Sequence, residues 1–283
     1  MMTPMRLLVT GAAGMLGRDV VAAAEADGHD VIALARGDLD ITSAAAVRGA
    51  VGSARPDAVI NCAAWTDVDG AETAEEMACA VNGTGAGTLA AAAAAAGAHT
   101  VHVSSDYVFD GTATAPYLED APTGPATAYG RSKLEGERAV AQASPRTAIV
   151  RSSWLFGVHG PNFVATMLRL ASERDEVSVV DDQIGCPTFT GHLAGALVEV
   201  ARRRMTGVLH VAGEGFCSWH ELAVAAFEQS GADCRAVAVT TAAFPRPAPR
   251  PAWSVLGSSR ADAPTLPPWR EGLAAYLDSR VLS

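Results

Sequence analysis

The feature that most constrains the fold is a glycine-rich turn set directly after the first strand-like run. Residues 6–10 read Arg-Leu-Leu-Val-Thr, and Gly11-Ala12-Ala13-Gly14-Met15-Leu16-Gly17 follows. A G-x-x-G-x-x-G turn between a strand and a helix, here expected over 18–27, brings backbone N–H groups close to a pyrophosphate, and the helix dipole favours the negative charge. The bland alternative is a tight turn of small residues chosen for packing. Its place in the first strand–helix unit of the chain argues against that reading.

Downstream, short β-branched runs recur at 31–35, 58–61, 100–104 and 148–151, separated by alanine-rich stretches. Near-continuous apolar strands joined by amphipathic segments require crossover helices on both faces of a parallel sheet. The expected class is therefore α/β, a Rossmann-type doubly wound parallel sheet. Residues 89–97 include seven consecutive alanines before Gly97, a strong helix with a glycine suited to its C-terminal cap. The rhythm loosens after Arg151. A helix near 162–173, a strand at 177–180 and a helix near 190–203 suggest a smaller C-terminal α/β substrate domain. The expected division is a cofactor-binding domain over 1–150, with a returning segment near 186–212, and a mainly substrate-binding domain over 151–283. Residues 244–251 hold four prolines, so they should form an extended loop at the border of a cleft.

Composition narrows the function. The 283 residues include 31 acidic and 21 basic side chains, and no basic cluster interrupts that balance, so nucleic acid is not an expected partner. The first ten residues carry one Arg and too short an apolar run for a signal peptide or anchor, which predicts a cytoplasmic protein without membrane association. Five cysteines lack any C-x-x-C spacing and read as reduced thiols. The seven histidines show no metal-ligand spacing and no compelling Ser/His/Asp order, and the adjacent Asp181 and Asp182 read as solvated or backbone-bonded carboxylates.

Cofactor type is read at the end of the second strand, where Ala33-Leu34-Ala35-Arg36 lacks the carboxylate that would bind a ribose 2′-hydroxyl. Arg36 suits a 2′-phosphate instead, pointing towards NADP(H), although it reads equally as a solvated turn residue. Asp40 is placed either to approach the adenine or to serve as a helix cap or turn residue.

Chemistry is carried by Tyr129-Gly130-Arg131-Ser132-Lys133, which sets a phenol and an ammonium one helical turn apart. Hydride addition to a ketone generates an alkoxide that needs a proton, and a phenol donates more readily when a cation stabilises its phenolate. The spacing alone is common; together with the glycine turn it points to a reductase. The fourth strand ends in Ser104-Ser105-Asp106, at the carboxyl edge where open α/β sheets bind ligands. Ser105 or Ser104 could bond the substrate carbonyl, and Asp106 could orient substrate or fix the loop; local capping is the alternative for each.

Taken in order, Gly11 to Gly17, Asn61-Cys62-Ala63-Ala64-Trp65-Thr66-Asp67-Val68-Asp69, Ala80-Val81-Asn82, Ser104 to Gly111, Tyr129 to Lys133, Arg151-Ser152-Ser153-Trp154-Leu155-Phe156-Gly157 and Asp182-Gln183-Ile184-Gly185-Cys186-Pro187-Thr188 resemble the dTDP-4-dehydrorhamnose reductases, which are extended short-chain dehydrogenases/reductases. The resemblance implies that Gly14, Met15 and Leu16 lie along the pyrophosphate, Asp40 and Ile41 approach the adenine, and Ala63, Ala64 and Trp65 border the cofactor. It implies that Ser105, Asp106 and Trp154 meet the sugar nucleotide, that Tyr129 donates the proton, and that Lys133 polarises Tyr129 and holds the nicotinamide ribose. For Trp154 core packing is the alternative. The implied reaction is NADPH-dependent reduction of the C4 keto group of dTDP-4-dehydro-L-rhamnose, in dTDP-rhamnose biosynthesis.

Three departures qualify the transfer. Ser105 stands where the family often has Thr, Ala35 where it often has an acid, and Asp19 is the one carboxylate near the turn where some relatives use glutamates to hold magnesium between subunits. No metal site is assigned, NADH stays open beside NADPH, and so does a homodimer. The same residues would serve a reductase of another dTDP-4-keto-6-deoxysugar, or a non-catalytic NADP(H)-binding regulatory subunit.

Overall fold

The computed structural model describes residues 3–281. Along the first half run β1 (Arg6–Thr10), α1 (Met15–Ala26), β2 (Asp30–Leu34), α2 (Ala44–Ala54), β3 (Ala58–Asn61), the short α3 (Val68–Ala71) and α4 (Glu75–Cys79), a π-helical segment Ala80–Gly85 leading into α5 (Ala86–Ala95), β4 (His99–Ser105), α6 (Ala128–Ala143) and β5 (Thr147–Ser152). The second half adds β6 (Leu155–Phe156), α7 (Phe163–Ala171), β7 (Glu176–Val180), β8 (Ile184–Gly185), β9 (Thr188–Phe189), α8 (Thr190–Arg202), β10 (Gly207–His210), β11 (Cys217–Ser218), α9 (Trp219–Ser230), β12 (Arg235–Val239) and α10 (Trp269–Val281).

Six strands pair in the order β10-β5-β4-β3-β1-β2, and every pairing is parallel. Period-two alternation buries both faces of this doubly wound sheet. Leu7 and Val9 point towards Leu16, Val20, Leu193 and Leu197 of α1 and α8, while Leu8 between them joins Val47, Val51 and Leu89 of α2 and α5. The chain turns from β2 back across β1 to β3, so the order reverses between β1 and β3, the crevice where such sheets take ligands.

The alanine run does what small side chains allow. Gly87 of α5 meets α6 so closely that a Cβ there would lie 2.7 Å from the Ala139 Cβ, and Gly97 beyond the helix end sits at φ +76°. α1 begins at Met15, earlier than the expected 18, because Gly17 lies within its first turn: a Cβ there would stand 2.1 Å from the Gly11 carbonyl oxygen.

In the second half, α8 and β10 return to complete the large sheet. The rest builds a smaller α/β layer in which β7 and β12 pair in parallel and α7, α9 and α10 supply Val164, Met167, Leu222, Phe227 and Leu273 to its core. The outer edge of β10 is covered: Arg260 donates to the carbonyls of Thr206 and Val208 at 2.7 and 3.1 Å, and Glu119 accepts from the backbone and hydroxyl of Ser259. Among the described residues, no helix is long and apolar enough to cross a membrane.

Candidate active site

The carboxyl ends of β1, β3, β4 and β5 open into a cleft of about 1970 Å³, closed on its other side by β7, α7 and the loop 241–251. Gly11 stands at φ +67°, where a Cβ would come within 2.6 Å of the Ala63 amide nitrogen. Gly14 is the N-terminal cap of α1 and brings no side chain to it. The first N–H groups of the helix, from Met15, Leu16 and Gly17, are thus left for a ligand, as a bound pyrophosphate requires. Arg36, Asp40, Ile41, Ala63, Ala64 and Trp65 line the same cleft. Asp40 spends one carboxylate oxygen locally, accepting from the Thr42 N–H and hydroxyl at 2.9 and 2.7 Å, which holds its pKa below the ordinary value. Ser43 rather than Asp40 caps α2.

Tyr129 and Lys133 come to the cleft from the first turns of α6, whose start is fixed by Thr127 accepting from the Gly130 N–H at 3.0 Å. The helix lies against the π-helical segment at Gly136, where a Cβ would stand 2.0 Å from the Asn82 carbonyl oxygen. Lys133 is buried, and its ammonium donates to the Val103 carbonyl at 2.7 Å. Burial draws its pKa down to about 8, with Glu137 opposing the shift. The Tyr129 phenol is pushed up to about 12 by burial and by the Asp106 carboxylate, with the Ser105 hydroxyl lowering it in part. The phenol is therefore a protonated donor at neutral pH. The Lys133 ammonium is directed at Val103 with Glu137 nearby, and the Tyr129 pKa is set first by burial and then by Asp106.

The two serines at the end of β4 part company. Ser104 donates to Glu137 at 2.6 Å, and Glu137 is paired with Arg151 at 2.7 Å in a buried bridge beneath the sheet edge. Ser105 faces Tyr129: it accepts from the Tyr107 N–H at 3.2 Å and donates to Asp106 Oδ1 at 2.8 Å. Asp106 is 3% exposed, and burial raises its pKa to about 6, with the Ser254 and Ser105 hydroxyls lowering it in part. Trp154 also lines the cleft; its backbone is left-handed, at φ +50°, and its ring stacks on that of Trp219. Asp19 stands 3.6 Å from the His159 Nε2 beside the glycine turn.

A family model described as RmlD substrate binding domain matches residues 5–281. The dTDP-4-dehydrorhamnose reductase of Streptomyces griseus is 49% identical over 281 residues, covering 97% of this chain and 92% of that protein. This chain belongs to the dTDP-4-dehydrorhamnose reductase family. Among solved structures, the dTDP-4-dehydrorhamnose reductase of Bacillus anthracis in complex with NADP superposes with a TM-score of 0.95 at 36% identity, covering 98% of this chain and all (100%) of that one. A dTDP-4-keto-6-deoxy-D-glucose reductase of Streptomyces niveus is 48% identical over 81% of this chain and 80% of its own length.

In this family member several residues around the site carried no assigned role in the sequence. Asn82 accepts from the Trp65 N–H at 2.8 Å and donates to the Trp65 carbonyl and the Ser132 hydroxyl, tying the 63–67 loop to α6. Asn61 accepts from the Thr10 hydroxyl at 2.7 Å and contacts His102, whose burial holds it neutral. Asp69 receives two hydrogen bonds of 2.9 Å from Arg250, which joins the proline-rich loop to α3 across the cleft. The signal for the first two was an Asn inside an otherwise apolar run. Arg250 and the proline-rich loop were a place to look for contacts to the thymidine diphosphate, but Asp69 lies 181 positions away and nothing in the sequence paired the two.

Proposed function

We propose that this chain reduces the C4 keto group of dTDP-4-dehydro-L-rhamnose to give dTDP-L-rhamnose, with NADPH as the hydride donor. One observation carries the reading. Tyr129, Lys133 and Ser105 share with the glycine turn a single cleft of about 1970 Å³, roughly twice the upper end of what one small ligand occupies, so there is room for a dinucleotide and a nucleotide sugar together. The kinship with reductases named for this sugar, and the NADP complex of the Bacillus anthracis relative, support the choice of substrate and cofactor.

In this reading residues 1–150 and the returning segment 186–212 hold the cofactor, and most of 151–283 holds the sugar nucleotide. Gly11, Gly14, Met15, Leu16 and Gly17 receive the pyrophosphate, Arg36 the 2′-phosphate, and Asp40 and Ile41 the adenine side, with Ala63, Ala64 and Trp65 bordering the rest. When bound, reduced nicotinamide supplies the hydride. Tyr129 gives its proton to the oxygen that gains charge, and Ser105 turns its hydroxyl from Asp106 towards the same oxygen. Lys133 lends positive charge as the phenolate forms and holds the nicotinamide ribose, while Asp106 and Trp154 orient the sugar.

The Streptomyces niveus relative favours a second reading, in which the substrate is another dTDP-4-keto-6-deoxysugar. Purified protein offered several such sugars with NADPH or NADH, with nicotinamide absorbance followed and the product configuration assigned by NMR, separates the two. The Tyr129→Phe variant should retain NADPH affinity and lose about 100- to 10,000-fold in turnover; near-normal turnover would remove Tyr129 from the mechanism.

A further inference from the structure

The part of the cleft built by the second half of the chain holds two indoles in a constrained arrangement. Trp154 sits at φ +50°, a region that an aromatic residue occupies only when its surroundings hold it there. Its ring lies flat on that of Trp219, with centroids 3.5 Å apart and planes 2° from parallel. Two free rings prefer an offset or an edge contact, so neighbours impose this geometry. The Trp219 N–H donates to Gln183 Oε1 at 3.1 Å, Gln183 donates to the Thr241 hydroxyl at 2.9 Å, and that hydroxyl donates to Asp182 at 2.6 Å. Phe163 packs on Trp219 at 4.5 Å. At Trp154, Gly185 leaves just enough room: a Cβ there would lie 2.4 Å from the indole Cε2. Trp154, Trp219, Gln183 and Thr241 all line the cleft.

We propose that Trp219 is a positioning residue for the sugar-nucleotide substrate: its stacked ring, anchored through Gln183 and Thr241 to Asp182, holds Trp154 in the left-handed conformation that presents its indole to the substrate. This rests on the reading of the cleft as a dTDP-4-keto-sugar site. The chain has five tryptophans, so its indole N–H signals can be resolved by NMR, and the Trp154→Phe variant identifies the one that matters. In the wild type the stacking places that signal under the ring current of Trp219, so it should be displaced from that of an unstacked indole.

Trp219→Leu should return the Trp154 signal towards the position of an unstacked indole and raise KM for dTDP-4-dehydro-L-rhamnose about tenfold, or about 1.4 kcal/mol. It should leave kcat within about twofold and NADPH affinity unchanged, because the groups that bond the reacting oxygen are untouched. Trp219→Phe, which keeps a ring to stack, should recover most of the KM. If Trp219→Leu does not fold, Gln183→Leu, which releases the Trp219 N–H, should raise KM about threefold by the same route. An unchanged KM despite a displaced Trp154 signal would reduce Trp219 to packing, and so would parallel losses in KM, kcat and NADPH affinity. Absence of turnover in the wild-type protein with any dTDP-4-keto sugar would instead overturn the reading of the cleft.

Discussion

Asp106 shows how a single side chain at the cleft is set against the stability of the fold. Its carboxyl is buried, and burial raises its pKa to about 6 despite the Ser254 and Ser105 hydroxyls beside it. The folded protein therefore binds more protons than the unfolded chain between about pH 4 and 6, so stability falls as pH rises through that window and the penalty persists at neutral pH. A shift of this size is on the order of 3 kcal/mol. Asp106→Asn keeps an acceptor for Ser105 and removes the charge, so its melting temperature at pH 7.5 should exceed that of the wild type by several degrees. The gain should vanish near pH 4, and an equal gain at both pH values would show that the charge is not its origin. Residues of this kind were only partly legible in the sequence. Tyr129 and Lys133 could be paired because helical spacing alone sets them on one face. Spacing alone left Ser104 and Ser105 open and the family resemblance chose Ser105; what sets them apart physically is Glu137 and Arg151 arriving beneath the strand from two other elements.

At the scale of elements, the approach of α6 to the π-helical segment 80–85 decides where the phenol stands. An exposed helical glycine replaced by alanine ordinarily stabilises a helix by about 1 kcal/mol. At Gly136 the sign should reverse, since the new Cβ would meet the Asn82 carbonyl oxygen at 2.0 Å and overpacking costs roughly 1–3 kcal/mol. Gly136→Ala should lower the urea midpoint and, by tilting α6, reduce turnover as well. A raised midpoint would mean that the two segments can slide apart. The alternating strands and helices of the sheet were predictable because period-two burial on two covered faces leaves continuous apolar runs. The π-helical insertion was not, because the partners of the Asn82 side chain within it, Trp65 and Ser132, come from other segments of the chain and leave no local pattern.

Across the whole molecule, the tie between Asp69 and Arg250 is one of several that join the two halves beside the cleft. Arg250 in the proline-rich loop grips both oxygens of Asp69, holding that carboxyl below its usual pKa, and Arg246 stands 3.8 Å away. Arg250→Ala should leave the urea midpoint nearly unchanged, because the clasp is partly exposed and joins a loop rather than the core. It should speed limited proteolysis within 244–251 several-fold; an unaltered cleavage rate would assign the order of the loop to its prolines. The cleft-lining role of this loop could be anticipated from its composition, whereas its partner across the cleft could not. The placement of β10 bears on how the chain is made. The sixth strand of the large sheet, and α8 beneath it, are synthesised only after β6 to β9 of the smaller layer, so on the ribosome β5 waits as an open edge until residue 210 has emerged. Through that interval β5 is a template for any passing strand, and the order of translation, not just the final contacts, sets when this protein is most exposed to misassembly.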